Sequence, residues 1–501
     1  MSTTLLVGGR IRASGATAMA VRDGVVVWVG GDEEARTRFD GAGEVLECRG
    51  ALVAPAFVDA HVHAASTGLL AGGLDLTGCA SLADCLDTVA SHAAAHPGAV
   101  LWGHGWDETS WPERRPPSRG ALDRAARGAA VYLARIDVHS AVVSSALLER
   151  TPEAIGADGW AGDGPLSREA HHSARRAARE SIGPGQRAAA QLAFLARAAA
   201  RGVAVVHECA GPDISGIEDL AGLLKHDTGV EVVPYWGQAV TTAAQAAELL
   251  AATGARGLAG DLFCDGALGS RTAALREPYN DAPDTCGAPY QDAEAIAAHV
   301  VACTRARTQA GFHVIGDAAT DAVVAGFAAA QAQLGAAALR ACTHRLEHLE
   351  MVSAEQAAQL ARWGVVASVQ PAFDAAWGGP DGMYALRLGS ERAAAMNPYA
   401  TLAAAGVTLA FGSDAPVTAI DPWAAVRAAV SHRTPGSGLG EDAAFAAHTR
   451  GGHRAAGVTD PAEGTLVPGA PASYAVWDGE GTCLRTAHRG RTLFDREGAL
   501  P

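Results

Sequence analysis

The sequence predicts an α/β fold: a (β/α)8, TIM-like barrel, with a small β-sandwich domain built from both termini and an insertion after strand one. Three observations carry this. The middle of the chain alternates short apolar runs with alanine-rich helical stretches, the pattern of a parallel sheet wrapped by helices. Both ends read instead as short strands with tight turns. Histidines and carboxylates recur where the apolar runs stop, and in such a barrel the carboxyl ends of the strands face the active site.

Residues 1–55 form the first part of the β domain. Met19-Ala20-Val21 leads through Arg22-Asp23-Gly24 into Val25-Val26-Val27-Trp28-Val29-Gly30, a hairpin signal. Strand one is expected over 52–60, and the segment 56–68 carries it into the barrel. It ends in His61-Val62-His63. Residues two apart on a strand point the same way, so both imidazoles would face one point, with Asp59 a step deeper. An insertion follows over 69–198. It holds strand candidates at 99–103 and 130–135, a turn at Gly162-Asp163-Gly164-Pro165, and a long polar helix near 167–200. The rest of the barrel occupies 199–455, with strands expected at 203–207, 230–236, 258–264, 311–315, 344–348, 365–370 and 408–413. Residues 371–388 read as a long loop after strand seven, placed to act as a lid. Residues 456–501 return to short strands and complete the β domain.

Size and composition bound the function. At 501 residues the chain can bury a large core. Hydrophobic content of 49% with mean hydropathy near zero describes a globular chain, and no apolar run reaches membrane-spanning length. The N-terminus lacks a basic region followed by an apolar core, so no signal peptide is expected. Nine cysteines, an odd number without C-x-x-C spacing, argue against a disulfide framework and favour a reducing cytoplasm. A net charge of −15 argues against nucleic acid and anionic membranes as partners. Lys225 is the only lysine in the chain.

The polar residues at the strand ends form one constellation. His61 and His63 follow strand one and His207-Glu208 strand two. Trp236 ends strand three. Asp261 and Asp265 lie on and after strand four. His313, His348 and Gln370 end strands five, six and seven, and Asp414 follows strand eight. Alone an H-x-H is a weak signal. Histidines on strands one, five and six with a late aspartate make a pattern spread over most of the chain.

These residues sit in Pro55-Ala56-Phe57-Val58-Asp59-Ala60-His61-Val62-His63, Asp265-Gly266-Ala267-Leu268-Gly269-Ser270-Arg271-Thr272-Ala273, His313-Val314-Ile315-Gly316-Asp317, Arg345-Leu346-Glu347-His348 and Phe411-Gly412-Ser413-Asp414-Ala415-Pro416-Val417. The insertion adds Gly105-Trp106-Asp107 and Leu133-x-Arg135-x-Asp137. In these motifs the chain resembles the amidohydrolase superfamily, in the branch called amidohydrolase family 3, over essentially its full length. The resemblance implies a divalent metal, usually Zn2+, held by His61, His63, His313, His348 and Asp414. It implies hydrolysis of a carbon–nitrogen bond other than a peptide bond. A metal ion lowers the pKa of bound water to about 7, and the hydroxide would attack a carbonyl or amidine carbon. Asp414 would move the water proton to the leaving nitrogen. His348 or an arginine would help the metal hold the oxyanion. A homodimer is the assembly the family suggests.

Two departures from the family pattern stand out. Ala56 replaces a glycine. Asp261 stands where many relatives place a lysine, and in binuclear members a carboxylated lysine bridges two metals. Lys225 lies in a helix at the other end of the barrel, so no carbamate bridge is expected. Asp261 or Glu208 would then supply a bridging carboxylate, or one Zn2+ would bind tightly with a weaker second site; Mn2+ and Fe2+ remain alternatives.

For substrate, Arg271 is a candidate to grip a carboxylate, with a loop-holding salt bridge as the alternative. Trp106, Asp107, Arg135 and His139 would line the pocket or else only fold the insertion, and Trp236, Trp377 and Gln370 are similar candidates. His207 is expected to bond within the core. The expected reaction is hydrolysis of an N-substituted amide. The rivals are hydrolytic deamination of a cyclic amidine or heteroaromatic amine, and a binding protein that kept the barrel without activity.

Overall fold

The computed structural model describes residues 3–500. Eight parallel strands stand side by side in chain order: β1 (Phe57–Val62), β2 (Val203–Ala210), β3 (Glu231–Trp236), β4 (Gly257–Leu258), β5 (Gln309–Val314), β6 (Arg345–His348), β7 (Val366–Val369) and β8 (Thr408–Phe411). The residues after β8 close the ring. The Asp414 amide donates to the His61 carbonyl at 2.8 Å, the His63 amide to the Ala415 carbonyl at 2.9 Å, and the Ser413 amide to Asp59 Oδ1 at 2.8 Å. Asp59 is therefore a closing clasp, and burial raises its carboxyl pKa to about 6. Gly412 is required here. A Cβ at this position would lie 2.6 Å from the His61 amide nitrogen.

The expected strand one splits in two. Leu52–Pro55 pairs with Tyr474–Trp477 in a sheet at the barrel's side, and only Phe57–Val62 enters the barrel. The expected fourth strand is short. It stops at Leu258, Gly260 takes a positive φ of 81°, and the chain rejoins β5 only at a Phe263–His313 bridge. That irregular stretch carries Asp261 toward the barrel axis.

Both termini build sheets. Val25–Gly30, Ala18–Arg22, Thr3–Val7 and Glu44–Glu47 form one. Arg10–Ile11, Leu52–Pro55, Tyr474–Trp477, Cys483–His488 and Arg491–Asp495 form the other. Leu6, Met19, Val26, Val53, Tyr474 and Val476 from the two sheets share one apolar cluster. The expected hairpin is present, its turn made by Asp23 and Gly24 with φ of 52° and 78°.

The insertion holds its own five-stranded sheet, from Leu74–Asp75 to Leu166–Ser167. The single long helix expected near 167–200 is two, Arg168–Glu180 and Pro184–Ala200, parted at Gly183 and Pro184 where Pro opens the second. The second belongs to the barrel layer, burying Phe194, Leu195 and Ala198 in the barrel's apolar core. Residues 371–388 are not a long loop either. They form helices Pro371–Trp377 and Met383–Leu388, joined by a Gly-rich turn. No single helix among the described residues is long and apolar enough to cross a membrane.

Candidate metal centre

Four imidazoles and two carboxylates meet at the carboxyl end of the barrel. His63 Nε2 lies 3.1 Å from Asp261 Oδ2 and 3.1 Å from Asp414 Oδ1. His61 Nε2 lies 3.5 Å from Asp261 Oδ1 and 3.4 Å from Asp414 Oδ1. His313 Nδ1 and His348 Nε2 are 3.5 and 3.8 Å from Asp261 Oδ1. All six residues are buried. The strand geometry explains the convergence. His61 and His63 project from one side of the end of β1, while Asp414 is held by the backbone bond that closes the ring. His348 and Asp414 take left-handed φ of 68° and 54°, which turns each side chain out of its strand's path into the mouth. Non-glycine residues in this region are held there by their surroundings, and they concentrate at functional sites.

The rear nitrogens decide which face each ring presents. His61 Nδ1–H donates to Glu347 Oε2 at 2.9 Å, His348 Nδ1–H to Gln370 Oε1 at 2.8 Å, and His313 Nε2–H to the Gly266 carbonyl at 3.2 Å. Each bond places the proton at the back, leaving a lone pair aimed at the common centre. His61 Nε2, His313 Nδ1 and Asp261 Oδ1 are buried with no hydrogen-bond partner. Orphaned buried atoms are costly, and a divalent cation between them satisfies all at once. The donor set is N and carboxylate O, as zinc and its neighbours prefer. The residues therefore fit a bound metal ion.

The electrostatics agree. Burial opposes ionisation of Asp261, but His61, His313 and His348 outweigh it and hold its carboxyl well below the usual range. Burial also pulls the His63 imidazole down, yet Asp261 and Asp414 lift it to about 9. Without a cation the carboxylates are neutralised by protons on imidazoles, so metal binding displaces protons.

Glu347 and Arg345 form the support beneath. The Arg345 guanidinium, fully buried, donates from Nη2 to Glu347 Oε2 at 2.8 Å, to the Ala60 carbonyl at 2.7 Å and from Nη1 to His207 Nδ1 at 3.0 Å. Thus His207 bonds in the core, as expected.

Two chambers open from the cluster and share His139, His313, His348 and Asp414 in their walls. The larger is lined by Trp102, Tyr132, Val138, Arg175, Ile214 and Phe263. The smaller is lined by Leu268, Ile315, Glu350, Phe373, Trp377 and Met383. Burial raises the Glu350 carboxyl to about 7, and Tyr384 donates to it at 2.6 Å.

Several sequence candidates lie elsewhere. Glu208 is outside the cluster; its Oε2 accepts from the Ala64 amide at 2.8 Å and anchors the helix after His63. Arg271 pairs with Asp281 at 2.7 Å, the loop-holding alternative. Trp106 is buried in the insertion's core and donates to the Leu133 carbonyl. Arg135 borders the smaller chamber, but Asp107, Glu108 and Asp137 hold it at 2.8, 2.9 and 3.0 Å. Asp107 is spent on that pair and on the Thr109 amide. Trp236 packs in the barrel core and donates to Gln238. Gln370 faces His348 rather than a chamber. Sequence reading missed Glu347 as the partner of His61, although its i+2 spacing from Arg345 on a strand was a usable signal. Tyr132, Arg175 and Glu350 carried no such signal.

The profile of the Amidohydrolase family matches residues 44–493. The chain belongs to that family. YtcJ of Bacillus subtilis (strain 168) is 26% identical over 461 residues, covering 83% of this amidohydrolase and 80% of YtcJ. The N-substituted formamide deformylase of Arthrobacter pascens is 29% identical over 156 residues, 29% of each chain. A metal-dependent hydrolase from Pyrococcus furiosus superposes with a TM-score of 0.73 at 24% identity, covering 96% of this chain and all of that one, and so shares the fold.

Proposed function

We propose that this amidohydrolase cleaves the carbon–nitrogen bond of an N-substituted amide, using a divalent cation held by His61, His63, His313, His348, Asp414 and Asp261. The observation that carries this is the placement of the cluster between two chambers. An N-substituted amide has groups on both sides of the bond that breaks, and each needs a pocket. A deaminase expels ammonia and needs only one. The local likeness to a formamide deformylase points the same way.

Zinc suits this donor set, and bound there it would supply Lewis acidity and water with a pKa near 7. The protein's own groups do the rest. Asp414 borders both chambers, so its carboxylate reaches the water on one side and the departing nitrogen on the other. It takes the proton from water at Oδ and returns it to that nitrogen. His139, which burial holds neutral, also borders both chambers and is free to hydrogen-bond the carbonyl oxygen. Asp261 contributes the carboxylate where a carbamate would otherwise stand, with its two oxygens directed at different imidazoles.

A panel of N-alkyl and N-aryl formamides and acetamides, beside aminopyrimidines and cyclic amidines, tests the reading. Primary amine released from the amides is expected. Ammonia released from the heterocycles, with the amides inert, would replace it by the deaminase reading.

A further inference from the structure

Five arginines in the described chain are at least nine-tenths buried: Arg135, Arg175, Arg345, Arg387 and Arg485. Four have carboxylate partners. Arg135 has three, Arg345 has Glu347, Arg387 has Glu108 and Asp281, and Arg485 has Glu44 and Asp495. Arg175 has none within 4.0 Å among the described residues. It projects from the helix Arg168–Glu180 and lines the larger chamber. Its Nη2 donates to the Val138 carbonyl at 2.5 Å and lies 3.5 Å from the His171 ring; Nη1 reaches the Asp213 carbonyl at 3.4 Å. The side chain of Asp213 is engaged by Arg176 instead.

A guanidinium withdrawn from water without an anion costs several kcal/mol. A folded chain holds one in a cavity at that cost where a ligand completes the pair. We propose that Arg175 is the subsite for a free carboxylate on the substrate, so that the enzyme acts on N-acylated amines bearing a carboxylate and an apolar body. This rests on the reading of the centre as an amide hydrolase. The surroundings favour a carboxylate over a phosphate. Among the described residues Arg175 is the only arginine or lysine lining the chamber, and Trp102, Tyr132, Val138, Ile214 and Phe263 make the wall around it mostly apolar. His171 and His172, beside Arg175 on the same helix, add no positive charge. Burial first, and the Arg175 charge with it, holds His171 well below its ordinary range and His172 at about 4.

The test uses 4-phenylbutanoate and its uncharged isostere 4-phenylbutanamide, titrated calorimetrically into the full-length protein, both zinc-loaded and chelator-stripped. The wild type is expected to bind the carboxylate about tenfold or more tighter than the amide in both states, as a charge-assisted hydrogen bond gives. Arg175→Met should erase the preference and Arg175→Lys should keep part of it. Equal binding of the two probes by the wild type, or binding of neither, overturns the subsite, and needs no variant to fold. A preference that survives Arg175→Met, or that vanishes on removing zinc, also overturns it, because the carboxylate then sits on the metal. Hydrolysis separates this from the parent reading. Equal cleavage of N-acetylphenylalanine and N-acetylphenethylamine removes the subsite alone. Cleavage of no amide at all, with the probe preference intact, removes the reaction alone.

Discussion

Replacing Gln370 by Met removes one hydrogen bond and should weaken metal binding without touching a ligand. Gln370 Oε1 accepts the His348 Nδ1 proton at 2.8 Å, and this bond leaves Nε2 free to face the centre. Methionine fills similar volume but accepts poorly, so the ring loses both its fixed tautomer and its orientation. Removing such an outer partner typically costs 10–100-fold in metal affinity, or about 1.4–2.7 kcal/mol. The metal-free protein should also lose about 1–3 kcal/mol, because the His348 Nδ1–H is left buried and unpaired. Gln370→Glu should do the reverse to the metal, since a carboxylate behind the ring raises its basicity. Competition against a chromophoric zinc chelator measures the affinities, and urea unfolding of stripped protein measures stability. Zinc affinity of Gln370→Met equal to wild type would refute the assignment of His348 as a ligand oriented by Gln370.

Asp414→Asn should keep the fold, because the Asp414 amide bond to His61 is made by the backbone. Turnover per bound metal should fall about 10²–10⁴-fold; a rate within a few-fold of wild type would assign the proton transfer elsewhere. Asp265 accepts the Ala274, Ile315 and Gly316 amides at 2.9, 3.0 and 2.8 Å. Asparagine offers one acceptor oxygen, so Asp265→Asn should lower unfolding free energy by about 1–3 kcal/mol, and no change would show that the loop repacks freely. Burial raises the Asp219 carboxyl from 3.8 to about 6. The folded state thus keeps that proton longer than the unfolded chain, a stabilisation complete below 3.8 and lost as pH rises through 6. Asp219→Asn lacks this dependence and retains the acceptor for Gln191. It should gain on wild type by about 2.4 kcal/mol between pH 4 and pH 8 in denaturant titrations, and a pH-independent difference would contradict the shift.

The barrel and five of the six centre residues were legible because strand alternation and the strand-end rule act locally. His61-x-His63 sits at a strand end, and that alone orients two rings. Asp261 was legible only as an alternative to Glu208, since both lie near strand ends and the two differ by tertiary placement. Glu208 turned to the Ala64 amide, while the break in β4 at Gly260 brought Asp261 inward. Arg271 looked like an anion grip by residue type and Arg135 like a pocket residue, but neighbouring carboxylates consumed both. Arg175 showed nothing in sequence, because an absent partner is a property of the packed interior. The helix break at Gly183-Pro184 was readable from Pro itself and from Gly before it.

The most direct test is quantification of bound metal by plasma mass spectrometry after zinc loading and gel filtration, on wild type, His313→Ala and Asp261→Asn. Wild type should retain at least one full equivalent, His313→Ala should retain far less, and Asp261→Asn should fall below wild type. A wild-type chain that takes up no metal, or variants that hold as much as it does, would contradict a cation at the meeting point of these side chains.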